Sequence, residues 1–276
     1  MSRLDGKVAI CTGSGRRGGL GEAILARLAA EGCKVVVTDL GTPAEGLEAG
    51  NIGTGEEMQS VVDALESNGA EAVALPCDVR DESQVRALVA GAVQAFGRLD
   101  ILVNNAAVGY VMKPLPELSL EDWRLVIDVN LSGAFICTRA AAEQMRSQGD
   151  GGRVVNVASQ AAKSGFRHMS PYVSSKHGMI GLTRSAAIDL AGDGITVNAV
   201  CPNHVTTGLG QKQNDYFAEL RGQTVEEYRA GIRQRIPLGR VGLPSDTAAA
   251  VAFLASPDAA YITGEALNVS GGEEMH

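Results

Sequence analysis

The sequence predicts an α/β protein, a doubly wound parallel sheet of seven strands with helices on both faces. Short apolar runs alternate with helical periodicity along the chain. Residues 7–12, 20–31 and 34–39 form a strand–helix–strand unit at its start, and no linker or composition break divides the 276 residues. One domain over residues 1–276 is therefore expected, with residues 203–237 as a loop or lid over a substrate.

The first unit carries a glycine turn, Thr12-Gly-Ser-Gly-Arg-Arg-Gly-Gly-Leu-Gly21, that follows a strand and opens a helix. There Gly13, Gly19 and Gly21 supply a tight turn, close backbone approach to a pyrophosphate and close helix packing. Asp39 ends the second strand, eighteen residues past Gly21. A carboxylate at that point accepts hydrogen bonds from the adenosine ribose hydroxyls and repels a 2′-phosphate, so NAD is the expected cofactor. Arg16 and Arg17 oppose that choice, because either can reach a phosphate, and they keep NADP open.

Residues 40–55 hold five glycines and one proline and predict a long loop on the adenine side. A helix over 56–67 leads to a third strand over 72–77, after which Asp78 and Val79 either touch the adenine or cap the next helix. That helix spans 82–96, and the fourth strand, 99–104, ends in Asn104-Asn105-Ala106-Ala107, at the strand ends where open parallel sheets bind ligands. The long helix expected over 120–145 carries Asn130 and Gly133, both locally unfavourable, which marks a site or a close packing contact. A fifth strand over 152–157 is topped by Ala158-Ser159, and a sixth over 195–200 is followed by Pro202-Asn203-His204-Val205-Thr206-Thr207. Residues 208–237 are the least regular, with Tyr216, Phe217 and Tyr228 in two short helical patterns, before a helix over 246–254 and a closing strand over 266–269.

Between the fifth and sixth strands lies Ser170-Pro-Tyr-Val-Ser-Ser-Lys176, with Ser159 thirteen residues ahead of Tyr172. Pro171 suits the first turn of a helix, where its missing N–H has no partner to lose. Tyr172 and Lys176 then share one helix face, with Cβ atoms about 5–6 Å apart. A cation so placed favours phenolate and brings proton exchange closer to neutrality than the free value of about 10. Such a phenol suits acid/base work on an alcohol or carbonyl.

Composition sets the bounds. With 45% hydrophobic residues and 34 glycines the chain has the make-up of a globular protein, and its net charge of −8 argues against a nucleic-acid binder, whose phosphate contacts need a basic face. No unbroken run reaches the ~18 apolar residues of a membrane span, and the N-terminus lacks the apolar core of a signal peptide, so a cytoplasmic protein off the membrane is expected. Five scattered cysteines without paired or histidine-rich spacing predict buried free thiols and no metal site.

From residue 7 to residue 272 the sequence resembles the short-chain dehydrogenase/reductase family. Asn104-Asn105-Ala106 is similar to its Asn-Asn-Ala-Gly, Asn130-Leu-Ser-Gly133 to its Asn-x-x-Gly, and Ser159, Tyr172 and Lys176 to its catalytic serine, tyrosine and lysine. The resemblance implies a Rossmann-type fold, NAD(H) or NADP(H), a small-molecule substrate, hydride exchange with an alcohol or carbonyl, and a homotetramer or dimer. It implies Tyr172 as general acid/base, Ser159 as the group polarising the substrate oxygen, and Asn130 as holder of a relay water. Lys176 would hydrogen-bond the nicotinamide ribose and lower the tyrosine's pKa. At the cofactor it implies Gly13, Gly19, Leu20 and Gly21 beside the pyrophosphate and Asp39, Asp78, Val79, Asn105 and Ala106 about the adenosine. Pro202, Val205 and Thr207 would join Tyr172 and Lys176 at the nicotinamide.

Three departures stand out. Five residues separate Gly13 from Gly19, which makes the turn two residues longer than the family's; Ala107 replaces a glycine; Asn203 replaces the glycine of a Pro-Gly pair, with asparagine's tolerance of positive φ expected to rescue the turn. Beside Ser159 and Tyr172, the residues Gln160, His168, Asn203 and His204 form a polar set expected at the substrate, which suits a polyol, sugar or hydroxylated small molecule. An NADP(H)-dependent reductase of ketones or 3-oxoacyl groups is the alternative. A catalytically silent dinucleotide sensor is a third reading, opposed by the complete Ser, Tyr, Lys set.

Overall fold

All five residues of β1 (Val8–Thr12) are buried, and the sheet is wound outward from this strand in both directions. The structure is a computed structural model that describes residues 3–275 except Glu45 and Glu48, so those two positions of the predicted 40–55 loop lie outside the described residues. The other strands are β2 (Lys34–Thr38), β3 (Ala72–Ala74), β4 (Ile101–Asn104), β5 (Gly152–Val157), β6 (Ile195–Pro202) and β7 (Ala266–Val269). They run parallel in the order β3-β2-β1-β4-β5-β6-β7. The winding reverses between β1 and β4, which opens a crevice at the carboxyl ends of the central strands.

Alternate strand residues feed opposite cores, as the two-residue period requires. Ala9, Cys11, Val35 and Val37 join a core covered by α1 (Leu20–Ala30), α2 (Gly55–Glu66) and α9 (Pro244–Ala255). Ile10 and Val36 join the opposite core, covered by α3 (Glu82–Phe96), α4 (Leu120–Ile127), α5 (Gly133–Gln148) and α6 (Ser170–Leu190). With both faces covered, the inner strands are continuous apolar runs, the pattern visible in the sequence. All five cysteines are buried and unpaired. Burial pushes the Cys33 and Cys77 thiols up to about 12, leaving both protonated and unreactive at neutral pH.

Several element limits differ from the sequence reading. The third strand ends at Ala74, although Leu75 and Cys77 still donate backbone N–H bonds to Val37 and Asp39, at 2.9 and 2.8 Å. The expected single helix over 120–145 is two helices joined by a π-helical turn, Asp128–Ser132, together running to Gln148. This 29-residue stretch has the length and mean apolarity of a membrane span, yet Val126, Cys137, Ala141 and Met145 bury its apolar side on the sheet. Such turns cluster at functional sites. The least regular part resolves into α7 (Gly208–Leu220) and α8 (Val225–Arg235), which enclose a small core of Ala218, Tyr228, Ile232 and Ile236.

Candidate active site

Above the carboxyl ends of the strands lies a cleft of about 1430 Å³, running from Asp39 and Asp78 at one end to Tyr172, His204 and α8 at the other. The glycine turn forms its near wall. At Gly13, φ is +65° and an added Cβ would lie 2.7 Å from the Ala106 Cα, so only glycine lets the turn rest on the end of β4. Asn105 locks that contact by donating from Nδ2 to the carbonyls of Thr12 and Gly13, both at 2.9 Å. In the lengthened turn Gly18, not Gly19, takes the second left-handed conformation, while Gly19 caps α1 with no side-chain partner for the helix's first amides. An uncapped helix N-terminus against a cleft fits an anionic group such as a pyrophosphate.

Asp39 accepts from the amides of Gly15 at 3.2 Å and Leu40 at 2.9 Å. Burial raises its pKa, and the Gly53, Leu40 and Gly15 amides together with Arg16 oppose the rise. Arg16 crosses the cleft: an added Cβ on Gly208, at the start of α7, would lie 3.6 Å from its Nη2. Arg17 also lines the cleft, where it pairs with Glu22. Asp78 does not cap α3, which Asp81 does, and its carboxylate is held by Arg80 at 2.6 Å.

Tyr172 and Lys176 sit in the first turns of α6, with Pro171 at the start as expected. Burial raises the Tyr172 pKa, opposed by a hydrogen bond with Ser159. The expectation that Lys176 draws the phenol toward neutrality is thus not met in this state. The Lys176 Nζ lies 5.6 Å from the phenol ring centre and donates to the Val157 carbonyl at 2.7 Å. Burial in turn lowers the Lys176 pKa to about 8. Desolvation dominates at both groups, and the phenol holds its proton.

Asn130 is fully buried, and its side chain is spent on structure. Its Oδ1 accepts from the Val108 amide at 2.7 Å, and its Nδ2 donates to the Val108 carbonyl at 2.9 Å and to Ser175 Oγ at 3.1 Å. Both amide protons are committed, so a relay water would find none on this side chain. Gly133 lets the helix close on the cleft wall, since an added Cβ would meet Val79 Cγ2 at 2.7 Å.

Of the residues expected at the site, Gly13, Gly19, Leu20, Asp39, Asp78, Val79, Asn105, Ala106, Ser159, Gln160, Tyr172, Lys176, Pro202, Asn203, His204, Val205 and Thr207 line the cleft. Gly21, Asn130 and His168 do not. Gly21 lies beneath the turn, against Ser14. His168 is the one described non-glycine residue with positive φ, at 62°, and its Nδ1 shares a 2.8 Å hydrogen bond with Tyr216 of α7, so it braces that helix from outside the cleft. Asn203 does not adopt positive φ, because its amide donates to Val269 and the chain leaves β6 extended. Its Nδ2 donates to Glu273. Thr207 accepts from Gly210 and caps α7.

The sequence reading stopped at Gly272 and missed the two glutamates beyond it. Glu274 accepts from Gln160 Nε2 at 3.0 Å and Ser164 Oγ at 2.9 Å, which closes the chain's end onto the site. Glu273 lies between Arg235 at 3.1 Å and His204 at 3.9 Å. Also missed was a buried thread in which Asn104 Nδ2 donates to Asn156 at 2.8 Å and Asn156 Nδ2 to Thr183 at 2.8 Å, pinning β4, β5 and α6 behind Tyr172. Polar residues in otherwise apolar runs were its one signal in the sequence.

A family model described as enoyl-(acyl carrier protein) reductase matches residues 13–274. The 3-oxoacyl-[acyl-carrier-protein] reductase of Synechocystis is 38% identical, the alignment covering 100% of both chains. The chain belongs to the short-chain dehydrogenase/reductase family. Galactitol 2-dehydrogenase of Agrobacterium fabrum is 36% identical over 99% of both chains. A crystal structure of an actinorhodin polyketide ketoreductase variant with NADPH superposes with a TM-score of 0.88 at 37% identity, covering 100% of both chains. This short-chain dehydrogenase/reductase is accordingly an oxidoreductase of CH–OH and carbonyl groups, built on the Rossmann-type fold that binds a nicotinamide dinucleotide.

Proposed function

We propose that this short-chain dehydrogenase/reductase prefers NAD(H) and interconverts a secondary alcohol of polyol or sugar type with its ketone. The observation that carries the cofactor choice is Asp39, a carboxylate at the end of β2 lining the cleft. A 2′-phosphate would meet that negative charge; of the two arginines of the turn, Arg17 is taken up by Glu22, while Arg16, which acts on Asp39 from inside the cleft, is the cation that favours the second reading. The carboxamide, ribose and pyrophosphate would be held by Thr207, Lys176 and the first amides of α1. When bound, the nicotinamide supplies or accepts the hydride.

The chain's own groups handle the proton. Tyr172, kept as the phenol by burial, donates to the carbonyl oxygen in reduction and recovers the proton in oxidation. Ser159, hydrogen-bonded to that phenol, holds the same oxygen. Lys176 carries a pKa near 8, so at neutral pH it is largely charged and its field stabilises the phenolate as it forms. The similarity to galactitol 2-dehydrogenase and the polar Ser159, Asn203 and His204 support a hydroxylated substrate.

A second reading, an NADP(H)-dependent ketone or 3-oxoacyl reductase, draws on the NADPH-bound ketoreductase neighbour and the Synechocystis relative. The test is kcat/KM with NAD+ and NADP+ across polyols, sugars and secondary alcohols. At least tenfold higher values with NAD+ are expected; a preference for NADP+ hands the assignment to the second reading. No turnover together with tight NADH binding would leave a silent sensor. Assembly as a homotetramer is proposed through α5 and α6, whose Phe135 and Ile188 are exposed.

A further inference from the structure

The substrate end of the cleft has a charge opposite to that of the chain. In a protein of net charge −8, Arg167, Arg221, Arg229, Arg233 and Arg235 line this end, against two carboxylates among the described residues, Glu226 and Glu273. Glu226 is taken by Arg233 at 2.7 Å and Glu273 by Arg235 at 3.1 Å. The other three guanidiniums have no carboxylate within pairing distance among the described residues. Arg221 lies over the Tyr228 ring at 5.0 Å, Arg229 donates to the Gln211 side chain, and Arg167 Nε meets the His168 ring at 3.2 Å.

These charges reach inward. Burial first, then Arg235 and Arg221, lower the pKa of His204, against the pull of Glu273. His204 therefore stays neutral at pH 7, and the positive field at this end is left to the arginines. A neutral polyol would leave that field unused. A guanidinium forms its strongest hydrogen bonds to a carboxylate or phosphate, and a walled cleft of one sign raises the local concentration of the opposite ion.

We propose that the substrate carries an oxyanion, a carboxylate or phosphate, besides its reacting hydroxyl, and that Arg221 receives it with Arg229 and Arg167 lining the approach. The proposal rests on the alcohol–carbonyl reading of the same cleft and narrows it to hydroxy acids and phosphorylated alcohols.

The test begins with an NADH titration of the full chain, whose failure would remove the dinucleotide reading itself. The NADH complex is then titrated with glucitol, gluconate and glucitol 6-phosphate at equal ionic strength, following the thermal midpoint, with sulfate as the free-anion control. Gluconate or glucitol 6-phosphate should act at concentrations at least tenfold lower than glucitol, and the better of the two tells carboxylate from phosphate. Arg221→Gln should weaken the anionic ligand about tenfold and leave glucitol and NADH binding unchanged. Equal response to glucitol and both anions, no response to any of the three, an anion effect reproduced by sulfate, or an Arg221→Gln protein that binds the anions as wild type does would each overturn the proposal.

Discussion

The two walls of the cleft are built on different principles. The wall of β4, β5 and α6 is threaded by buried hydrogen bonds among Asn104, Asn156, Thr183, Asn130 and Ser175, which fix the backbone on either side of Tyr172. The hood of α7 and α8 packs on itself around four buried side chains and meets the rest through the part-buried His168–Tyr216 bond, the Arg235–Glu273 pair and the half-buried Phe217. Under the proposed function the first wall would set the chemistry and the second what enters. Substitutions should therefore separate by wall, with chemistry and global stability lost in one and access changed in the other.

The largest effect is expected at Tyr172. Tyr172→Phe keeps the ring and removes the proton, and should lower kcat roughly 10²–10⁴-fold. NADH affinity, followed by fluorescence titration, should stay within about threefold. Retention of most of the turnover would take the acid/base role away from this residue.

Asn130→Ala tests the same wall through stability. It strips both backbone groups of Val108 of their partner and frees Ser175 in a fully buried site. Unpaired buried groups cost roughly 1–3 kcal/mol each, so a global loss of about 3 kcal/mol in urea unfolding is expected. A loss under about 1 kcal/mol would mean that the π-turn holds itself.

These two residues also mark how far the sequence could be read. Tyr172, Lys176 and Asp39 were legible because each belongs to a local pattern, a helix face or a strand end, that fixes its position. The side-chain partners of Asn130 were not, because Val108 and Ser175 lie 22 and 45 residues away and only the folded chain brings them together. The same distance hid the grip of Glu274 on Gln160, 114 residues apart, and the bracing role of His168. The desolvation of Tyr172 was also invisible, since a motif shows which charges are near and not how little water surrounds them.

Lys176 gives the third test, through pH. Burial lowers its pKa from 10.5 to about 8, so between those values the unfolded chain binds more protons than the folded one. Stability from this group therefore rises with pH across the window, and the burial penalty is fully present below pH 8. The slope is at most about 1.4 kcal/mol per pH unit. Lys176→Met should remove it, and the wild-type minus variant difference in urea midpoints from pH 7.5 to 9.5 measures it. A flat difference would place the ammonium in a wetter site than its burial indicates.

The smallest global effect is expected in the hood. Ile232 is buried among Ala218, Tyr228 and Ile236, and in a close-packed core Ile→Ala costs about 2–5 kcal/mol. If α7 and α8 are already open at the urea concentration where the sheet unfolds, that loss falls on the earlier opening step, because the main transition then starts from a state that has lost these contacts. Ile232→Ala should then lower the unfolding free energy of the main urea transition by less than about 1 kcal/mol, yet raise the rate of proteolytic cutting within residues 203–237 at least tenfold. Substrate KM should rise while NADH affinity, assigned mainly to the glycine turn, the first amides of α1 and Asp39, changes little. A full 3 kcal/mol global loss without faster local cutting would show that the hood and the sheet unfold together, and the division between the two walls would fail.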